Sequence, residues 1–332
     1  MYATSEGTRR YVSRFPDYQK TGFYRTVLDL QVSSLGIGTY LGGTDDASDR
    51  VYTEALICAG TSGINFFDTA INYREQQSER AIGRALLQLQ RDEIFVATKA
   101  GFLTPGAVPD FLRPDDVVGG MHSMEPRFLE DQIERSRANL GVDTIDLFYL
   151  HNPETQLAYR SRANFEERLR RAFAQLEHIA GEQKIRWYGA ATWDGFRKPG
   201  ALSLPRIVEL ASEEGGPDHR FRFIQLPFNL AMVEAFTGRA ESVLEQAARL
   251  GMAVVASASL LQMCVPDQMP EAVAQLLPGL ETPAQRAIQF TRSTPGIAVA
   301  LVGMGRTEHV KENLGVAKVP PATPEEYLRL YG

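Results

Sequence analysis

The strongest constraint on the fold is an alternation of short apolar runs and helical segments along nearly the whole chain. Eight runs have the composition of strands, at residues 32–38, 64–68, 94–99, 145–150, 185–190, 221–226, 253–257 and 297–302. Amphipathic segments lie between them, for example at 50–62, 78–90, 126–140, 164–180 and 242–250. Runs such as IDLFYL and IAVALV are apolar at both odd and even positions, which is typical of parallel strands covered on both faces.

Eight β-then-α units without a change of composition predict one α/β domain over residues 1–332, folded as a (β/α)₈ TIM barrel. Three segments fall outside this plan. Residues 1–25 are polar and irregular and are expected to form an N-terminal extension or hairpin, and residues 317–332 form a C-terminal tail. The segment 100–124 is far longer than the usual βα loop of about 2–6 residues, and this length favours a lid over a disordered loop.

Charge and composition exclude several classes of function. The formal net charge of −6 gives no basic surface for nucleic acids or anionic membranes. The first residues, MYATSEGTRR, lack the apolar core of a signal peptide, and no apolar run approaches the roughly 20 residues of a membrane helix. Cys58 and Cys264 have no metal-ligand spacing. We therefore expect a cytoplasmic protein that acts on a small molecule.

Two common nucleotide motifs are not matched. The segment Gly36–Gly43 resembles a phosphate loop, but the dinucleotide fingerprint requires glycine at position 41, where leucine stands. No GxxxxGK[ST] sequence occurs. The five histidines are scattered without paired spacing, so no metal site is expected.

Four polar residues follow neighbouring predicted strands, and their side-chain types fit one reaction. Asp68, Lys99 and His151 end the second, third and fourth strands, and Tyr73 lies five residues after Asp68. Active sites of such barrels lie at the carboxyl ends of the strands, so all four are expected at one mouth. Each alone has an ordinary structural explanation, namely a helix cap, a surface charge or packing. Four compatible groups together favour a catalytic site.

The chemistry of this set is that of a general acid. A tyrosine hydroxyl has a pKa of about 10, and an ammonium 4 Å away supplies roughly 4 kcal/mol, enough to lower that pKa to about 7. We therefore expect Lys99 to lower the pKa of Tyr73, Asp68 to keep Lys99 protonated and His151 to orient a substrate oxygen. Because the set contains no nucleophile for a redox step, a hydride cofactor has to supply that chemistry.

The chain resembles the aldo-keto reductase family from about Val32 to Val316. The matching pieces are VSSLGIGTYLGG, GINFFDTAINYREQQSERAIGRAL, IFVATKAG, LGVDTIDLFYLHNP, KIRWYGAATW, FIQLPFNL and LVGMGRTEHVKENLG. The resemblance identifies Asp68, Tyr73, Lys99 and His151 as the family tetrad. It implies a barrel that binds NADP(H) in preference to NAD(H), transfers a hydride to an aldehyde or ketone with Tyr73 as proton donor, and carries a β-hairpin at the bottom.

The resemblance also implies a set of binding residues. The expected cofactor-binding residues are Gly38, Thr39, Tyr40, Asp68, Thr192, Gln225, Ser257, Leu260, Gly303, Met304, Arg306, His309, Glu312 and Asn313. Among them, Gln225 would bond the nicotinamide carboxamide, and Arg306 and His309 are candidates for a 2′-phosphate. The expected substrate wall consists of Tyr40, Phe102, Trp193 and parts of loop 101–124.

Four positions depart from the family pattern. Ala191 and Thr192 replace a Ser-Asn pair, Ser257 replaces the aromatic residue that stacks on the nicotinamide, and Arg74 replaces a glycine. These changes alter the nicotinamide clamp. Two alternatives therefore stay open: a nucleotide-binding barrel that regulates a partner with weak or no catalysis, and a lyase that forms a Schiff base through Lys99. Asp68 disfavours the lyase, because it would keep the amine charged.

Overall fold

Eight parallel strands form a closed barrel in the computed structural model, which describes residues 1–198, 200–237, 241–261 and 271–331. Within these ranges the strands are β1 (Tyr24–Val27), β2 (Leu30–Ser33), β3 (Leu35–Gly38), β4 (Phe66–Asp68), β5 (Phe95–Ala100), β6 (Val117–Val118), β7 (His122–Ser123), β8 (Ile145–His151), β9 (Ile185–Ala191), β10 (Phe221–Pro227), β11 (Ala253–Ser257) and β12 (Ile297–Gly303). The barrel follows the chain order β3, β4, β5, β8, β9, β10, β11, β12 and closes between β12 and β3. The predicted (β/α)₈ fold is confirmed.

Helices surround the barrel. They are α1 (Ser5–Ser13), α2 (Pro16–Lys20), α3 (Asp46–Ser62), α4 (Gln77–Leu86), α5 (Pro126–Leu140), α6 (Arg162–Gly181), α7 (Leu204–Gly215), α8 (Val243–Arg249), α9 (Glu271–Leu276), α10 (Pro283–Ser293), α11 (Thr307–Asn313) and α12 (Pro324–Leu328). Gly63 and Gly141 end α3 and α5 with φ of 118° and 64°, a left-handed conformation that glycine adopts without a steric penalty.

The N-terminal region differs from the sequence prediction in two respects. The predicted first strand, 32–38, is split, because residues 30–33 form β2 of an antiparallel hairpin with β1 and the barrel strand begins only at Leu35. The amide of Ser34 donates to the carbonyl of Phe23 at 2.8 Å, which turns the chain between the two strands. Residues 1–25, expected to be irregular, contain α1 and α2; buried Tyr11 of α1 donates its hydroxyl hydrogen to Gly60 O at 2.8 Å.

The barrel interior has an apolar bottom and a polar top. The rings of Phe66 and Phe95 stack with centroids 4.7 Å apart, and Trp187 lies 6.1 Å from Phe95. Hairpin residues Val27 and Leu30 belong to the same buried cluster. Since alternate residues of a strand face the same side, inward residues that follow Phe66 and Phe95 include Asp68 and Lys99. The strand pattern therefore sends these polar groups to the carboxyl end of the barrel.

The expected lid, residues 100–124, has secondary structure of its own. It contains a 3₁₀ turn at Pro114–Asp116 and the short antiparallel pair β6–β7. Phe102 forms a bridge with His122, so the two ends of the loop lie side by side. These contacts place the loop at the barrel mouth.

At the opposite end of the barrel, we expect Asp146 to be a principal anchor of the N-terminal segment. Its buried carboxylate accepts hydrogen bonds from the amides of Ala3 and Val96 at 2.7 and 2.9 Å and from Arg91 Nη2 at 2.7 Å. The substitution Asp146→Ala leaves a cation and two amides unpaired and should lower the free energy of unfolding by about 3 kcal/mol in urea titrations. Asp143→Ala, which removes an exposed carboxylate paired with the N-terminal amine, is the matched control and should change it by less than about 0.5 kcal/mol. Equal effects of the two substitutions would contradict this anchoring role.

Candidate active site

A buried ion pair lies at the polar end of the barrel. Lys99 Nζ donates to Asp68 Oδ1 at 2.5 Å and to the carbonyl of Thr69 at 2.7 Å, and Gln225 Nε2 donates to Asp68 Oδ2 at 2.8 Å. Burial raises the pKa of the Asp68 carboxyl and lowers the pKa of the Lys99 ammonium, and the attraction between the two charges opposes both shifts. The two opposite charges nearly cancel, so the pair is a fixed polar group at the floor of the site.

Tyr73 lies directly on this pair. Lys99 Nζ is 5.1 Å from the centroid of its ring, and the rings of Tyr40 and His151 meet it edge-on with centroid distances of 4.9 and 5.8 Å. The turn after β4 therefore brings the phenol next to Asp68, Lys99 and His151.

The protonation of Tyr73 differs from the sequence expectation. Burial, and next the charge of Asp68, raise the pKa of the Tyr73 hydroxyl above its ordinary value. The net direction is thus opposite to the lowering that the sequence led us to expect from Lys99, whose ammonium is paired with Asp68. The hydroxyl consequently keeps its proton at neutral pH, which is the form that a proton donor requires.

His151 is a neutral imidazole facing the phenol. Burial, and then the charge of Lys99, hold the pKa of His151 well below its ordinary value. Its Nδ1 is buried and has no hydrogen-bond partner in the part of the chain that the structure describes. Phe102 meets its ring edge-on at a centroid distance of 5.1 Å. His151 can thus offer a hydrogen bond to a small polar group without carrying charge.

His122, which sequence reasoning noted only as one of five scattered histidines, anchors the long loop beneath His151. Its Nε2 lies 2.8 Å from the carbonyl oxygen of His151, an atom that can only accept, so Nε2 carries the hydrogen. Nδ1 then accepts from Gln156 Nε2 at 2.9 Å. Gly101 allows this approach, because a Cβ there would lie 2.6 Å from the His151 oxygen. No local sequence pattern signals these contacts, since their partners come from distant segments.

Glu154 is a second residue that sequence reasoning missed. Its Oε1 accepts from the backbone amides of Trp193, Asp194 and Gly195 at 2.8, 3.1 and 3.2 Å. Burial raises the pKa of this carboxyl, and the amide hydrogen bonds oppose the shift. The carboxylate fixes the loop after β9 that carries Trp193, one of the three expected substrate-wall residues.

The residues expected around the nicotinamide gather at this end of the barrel. Gly38 pairs with Gly303 and with Asp68 across the sheet, and Thr39 is buried with its hydroxyl 2.9 Å from that of Thr69. Tyr40 is 61% exposed and stands over the mouth beside Tyr73.

On the other side of the mouth stand the altered clamp residues. Thr192 is buried, with its hydroxyl donating to the carbonyl of Gln225 at 3.4 Å, and Ala191 next to it is also buried. Ser257 is half-buried at the end of β11. Gln225, expected to bond the nicotinamide, here bonds Asp68 and so belongs to the ion-pair network as well.

The residues expected at the adenosine end divide into exposed and buried groups. The exposed ones are Arg306, which directly precedes α11, and His309 and Glu312 within that helix. Asn313, the last residue of α11, is buried. Gly303 is exposed, and a Cβ built on it meets no heavy atom within 4 Å among the described residues.

Two further residues that were expected to bind the cofactor pack against the apolar core. Met304 is fully buried in the core, so its side chain is not expected to contact a cofactor. Leu260 is half-buried against the core, and Cys264 lies outside the described residues.

The anchoring by His122 makes a prediction for acid stability. Burial lowers the pKa of His122 to about 4, so between its unfolded value of 6.5 and about 4 the unfolded chain binds more protons and the folded state loses stability as pH falls. This loss should reach about 2 to 3 kcal/mol by pH 4.5. His122→Gln removes the titration, so its deficit in unfolding free energy relative to wild type, measured in urea, should shrink between pH 7 and pH 4.5. A deficit that stays constant, or that shrinks equally for the exposed control His178→Gln, would contradict the assignment.

The chain is similar to known proteins of one family. The sequence model of the Aldo/keto reductase family matches residues 34–265. The chain is 29% identical over 171 residues to an NADH-specific methylglyoxal reductase of Escherichia coli strain K12, covering 50% of each protein. It is 33% identical over 172 residues to a D-threo-aldose 1-dehydrogenase of a Pseudomonas species, covering 48% of this chain and 50% of the relative. These alignments thus span about half the length of the curated relatives.

A solved structure shares the fold over most of the chain. It is an aldo/keto reductase from Klebsiella pneumoniae in complex with NADP and acetate, with a TM-score of 0.67 at 20% identity, covering 92% of this chain and 94% of that one. Among the described residues no helix is long and apolar enough to cross a membrane. The family match over residues 34–265, together with the closed barrel, establishes that the chain belongs to the aldo/keto reductase family.

Proposed function

We propose that the protein is an NADP(H)-dependent oxidoreductase that interconverts an aldehyde or ketone and an alcohol, with Tyr73 as the proton donor in reduction. The observation that carries the proposal is the stacking of the Tyr73 phenol on the buried Lys99–Asp68 pair, with the neutral His151 ring beside it. This is a protonated acid that contacts polar groups placed by the strand ends.

Several side chains fit the nicotinamide cofactor that this chemistry needs. Thr192 and Gln225 offer a hydroxyl and an amide at the mouth, Gly303 leaves open space beside the strand end, and exposed Arg306 forms no ion pair within the described ranges. When bound, the nicotinamide supplies or accepts the hydride. Arg306 and His309 would hold the negative charge of a 2′-phosphate, a task for which an arginine fork is well suited.

The chain's own residues handle the proton and the developing charge. As hydride reaches the carbonyl carbon, negative charge builds on the oxygen, and the Tyr73 hydroxyl passes its proton to that atom. The Lys99 ammonium beneath the ring stabilises the phenolate that remains, and Asp68 keeps Lys99 in place. His151, neutral and with a free buried Nδ1 in the described part of the chain, orients the same oxygen by a hydrogen bond.

The substrate would lie between Tyr73 and the aromatic side chains around the mouth. Tyr40 and Phe102 touch the rings of Tyr73 and His151, and Glu154 fixes the backbone of Trp193 nearby. These three side chains form the proposed substrate wall, which suits an apolar or aromatic group next to the carbonyl.

The lyase alternative has less support. A Schiff base needs a free, uncharged amine, but Lys99 is fully buried and its Nζ donates to both Asp68 and the carbonyl of Thr69. A carbonyl carbon could reach the amine only after both contacts break. A barrel that binds the cofactor and regulates a partner without turnover is distinguished by the first experiment below.

Replacing Tyr73 by phenylalanine should abolish most turnover and leave cofactor binding intact. Because the hydroxyl is the proposed acid, kcat for NADPH-dependent reduction of a panel of aldehydes and ketones should fall by at least about 100-fold. The Kd for NADPH, measured by fluorescence titration, should change by less than about twofold, since the ring is kept. Tyr159→Phe, at an exposed position, is the control and should behave as wild type. Full activity of Tyr73→Phe would refute the proton-donor role, and wild-type protein that binds NADPH but reduces no carbonyl would favour the regulatory alternative.

Replacing Arg306 by glutamine tests the cofactor preference. If its guanidinium binds the 2′-phosphate, the Kd for NADPH should rise about tenfold, while the Kd for NADH, which lacks that phosphate, stays within about twofold. Lys311→Gln, an exposed cation further along α11, is the control for general loss of positive charge. Tighter binding of NADH than of NADPH by the wild type would overturn the proposed preference.

A further inference from the structure

The turn that follows Tyr73 has an unusual backbone. Arg74, Glu75 and Gln76 have φ of 49°, 51° and 73°, a left-handed region that residues with a Cβ rarely occupy. A residue with a Cβ is strained in this conformation, so the turn persists only if its surroundings hold it in place.

The side chain of Arg74 makes the contacts that can hold this turn. It is 1% exposed; Nε donates to the carbonyl of Gly43 at 2.6 Å, Nη2 donates to Asp49 Oδ1 at 2.5 Å, and the guanidinium lies 4.7 Å from the centroid of the Tyr52 ring. A buried guanidinium needs a counter-charge, which Asp49 supplies. Asp49 also pairs with the half-exposed Arg84 at 2.8 Å, so its own charge does not depend on Arg74 alone.

These contacts tie the Tyr73 turn to the loop after β3. Gly43 belongs to that loop, and the Tyr52 hydroxyl donates to the carbonyl of Leu41 in the same loop. The preceding residue, Tyr40, is the one whose ring meets Tyr73 edge-on. Arg74 therefore fixes two neighbouring loops whose tyrosines touch each other.

The same cluster reaches the loop after β12. Gly305 lies so close to Tyr52 that a Cβ on it would stand 2.9 Å from the ring. Three loops of the barrel mouth thus meet at the Tyr52 ring, with the Arg74 cation on it.

We propose that Arg74 is a positioning residue for the proposed reaction. Its guanidinium, held by Asp49 and stacked on Tyr52, fixes the Tyr73 turn against the loop that carries Tyr40 and thereby sets where the phenol hydroxyl stands relative to the substrate oxygen. The inference rests on the proposed function. It assigns the effect to the side chain, because a glycine at this position would relieve the backbone strain and favour the fold.

The substitution Arg74→Gly tests this assignment. Because a small misplacement of a reacting group is costly, kcat should fall about 10- to 100-fold, whereas the Kd for NADPH should change by less than about threefold. Amide hydrogen exchange in residues 39–45 and 73–77 should become faster, since the loops lose their shared anchor. Added methylguanidinium, which matches the group removed, should restore part of kcat and slow the exchange again.

Arg84→Gln provides the matched control, because Arg84 pairs with the same carboxylate but from the surface. It should leave kcat and hydrogen exchange as in wild type. The proposal would be overturned if Arg74→Gly left both kcat and hydrogen exchange unchanged. It would also be overturned if kcat fell equally in Arg74→Gly and Arg84→Gln. A fall in kcat without faster exchange in the two loops would contradict it as well. If the wild type shows no carbonyl reduction, the proposed function fails, and the exchange measurements alone still decide whether Arg74 fixes the two loops.

Discussion

The arrangement of side chains at the carboxyl end of the barrel depends on the burial of Lys99 with Asp68. Removing two charges from water is expensive, and the cost is offset only when geometry and additional hydrogen bonds are good. The carbonyl of Thr69 and the amide of Gln225 provide those bonds, from the loop after β4 and from β10 across the barrel. A slip of one residue in strand pairing would turn the inward side chains outward and separate the pair. The site is therefore a strong constraint on strand register, and the register in turn positions the site.

The bottom of the barrel contributes to stability, and the top carries the groups of the proposed reaction. Stacked rings of Phe66 and Phe95, together with the hairpin, fill the bottom, where water has no access. This rigid base makes it possible to hold polar groups in one geometry a few residues higher along the same strands. The same low dielectric that makes the ion pair costly also keeps the phenol of Tyr73 protonated, and the nearby Lys99 ammonium would have to offset its effect when the proton is given up.

The features that could be predicted from the sequence are those that follow from the repeating pattern of apolar and polar residues. Strand and helix alternation predicted the barrel, and the position of Asp68, Lys99 and His151 at strand ends predicted that they would meet, because parallel strands bring their ends to one face. Features that depend on particular distant partners were not predictable. The break at Ser34 arises from a bond to Phe23, and the roles of His122 and Glu154 arise from bonds to backbone groups of other loops. The expected lowering of the Tyr73 pKa differs from the direction in the structure, because the sequence does not show how completely the phenol is buried or how near Asp68 lies.

A common principle connects the loops around the mouth. Three of them are held by a largely buried polar side chain that binds backbone groups of another segment: Arg74 binds Gly43, His122 binds His151 and Glu154 binds the segment 193–195. Backbone groups are present whatever the local sequence, so such contacts fix the course of a loop while its outward side chains stay free to differ. Because each anchor is desolvated and has few alternative partners, its loss is felt at the side chains that the loop presents to the mouth. The strands thus determine where the acid and its supporting charges lie, and these three anchors determine the shape of the space in which a substrate would meet them.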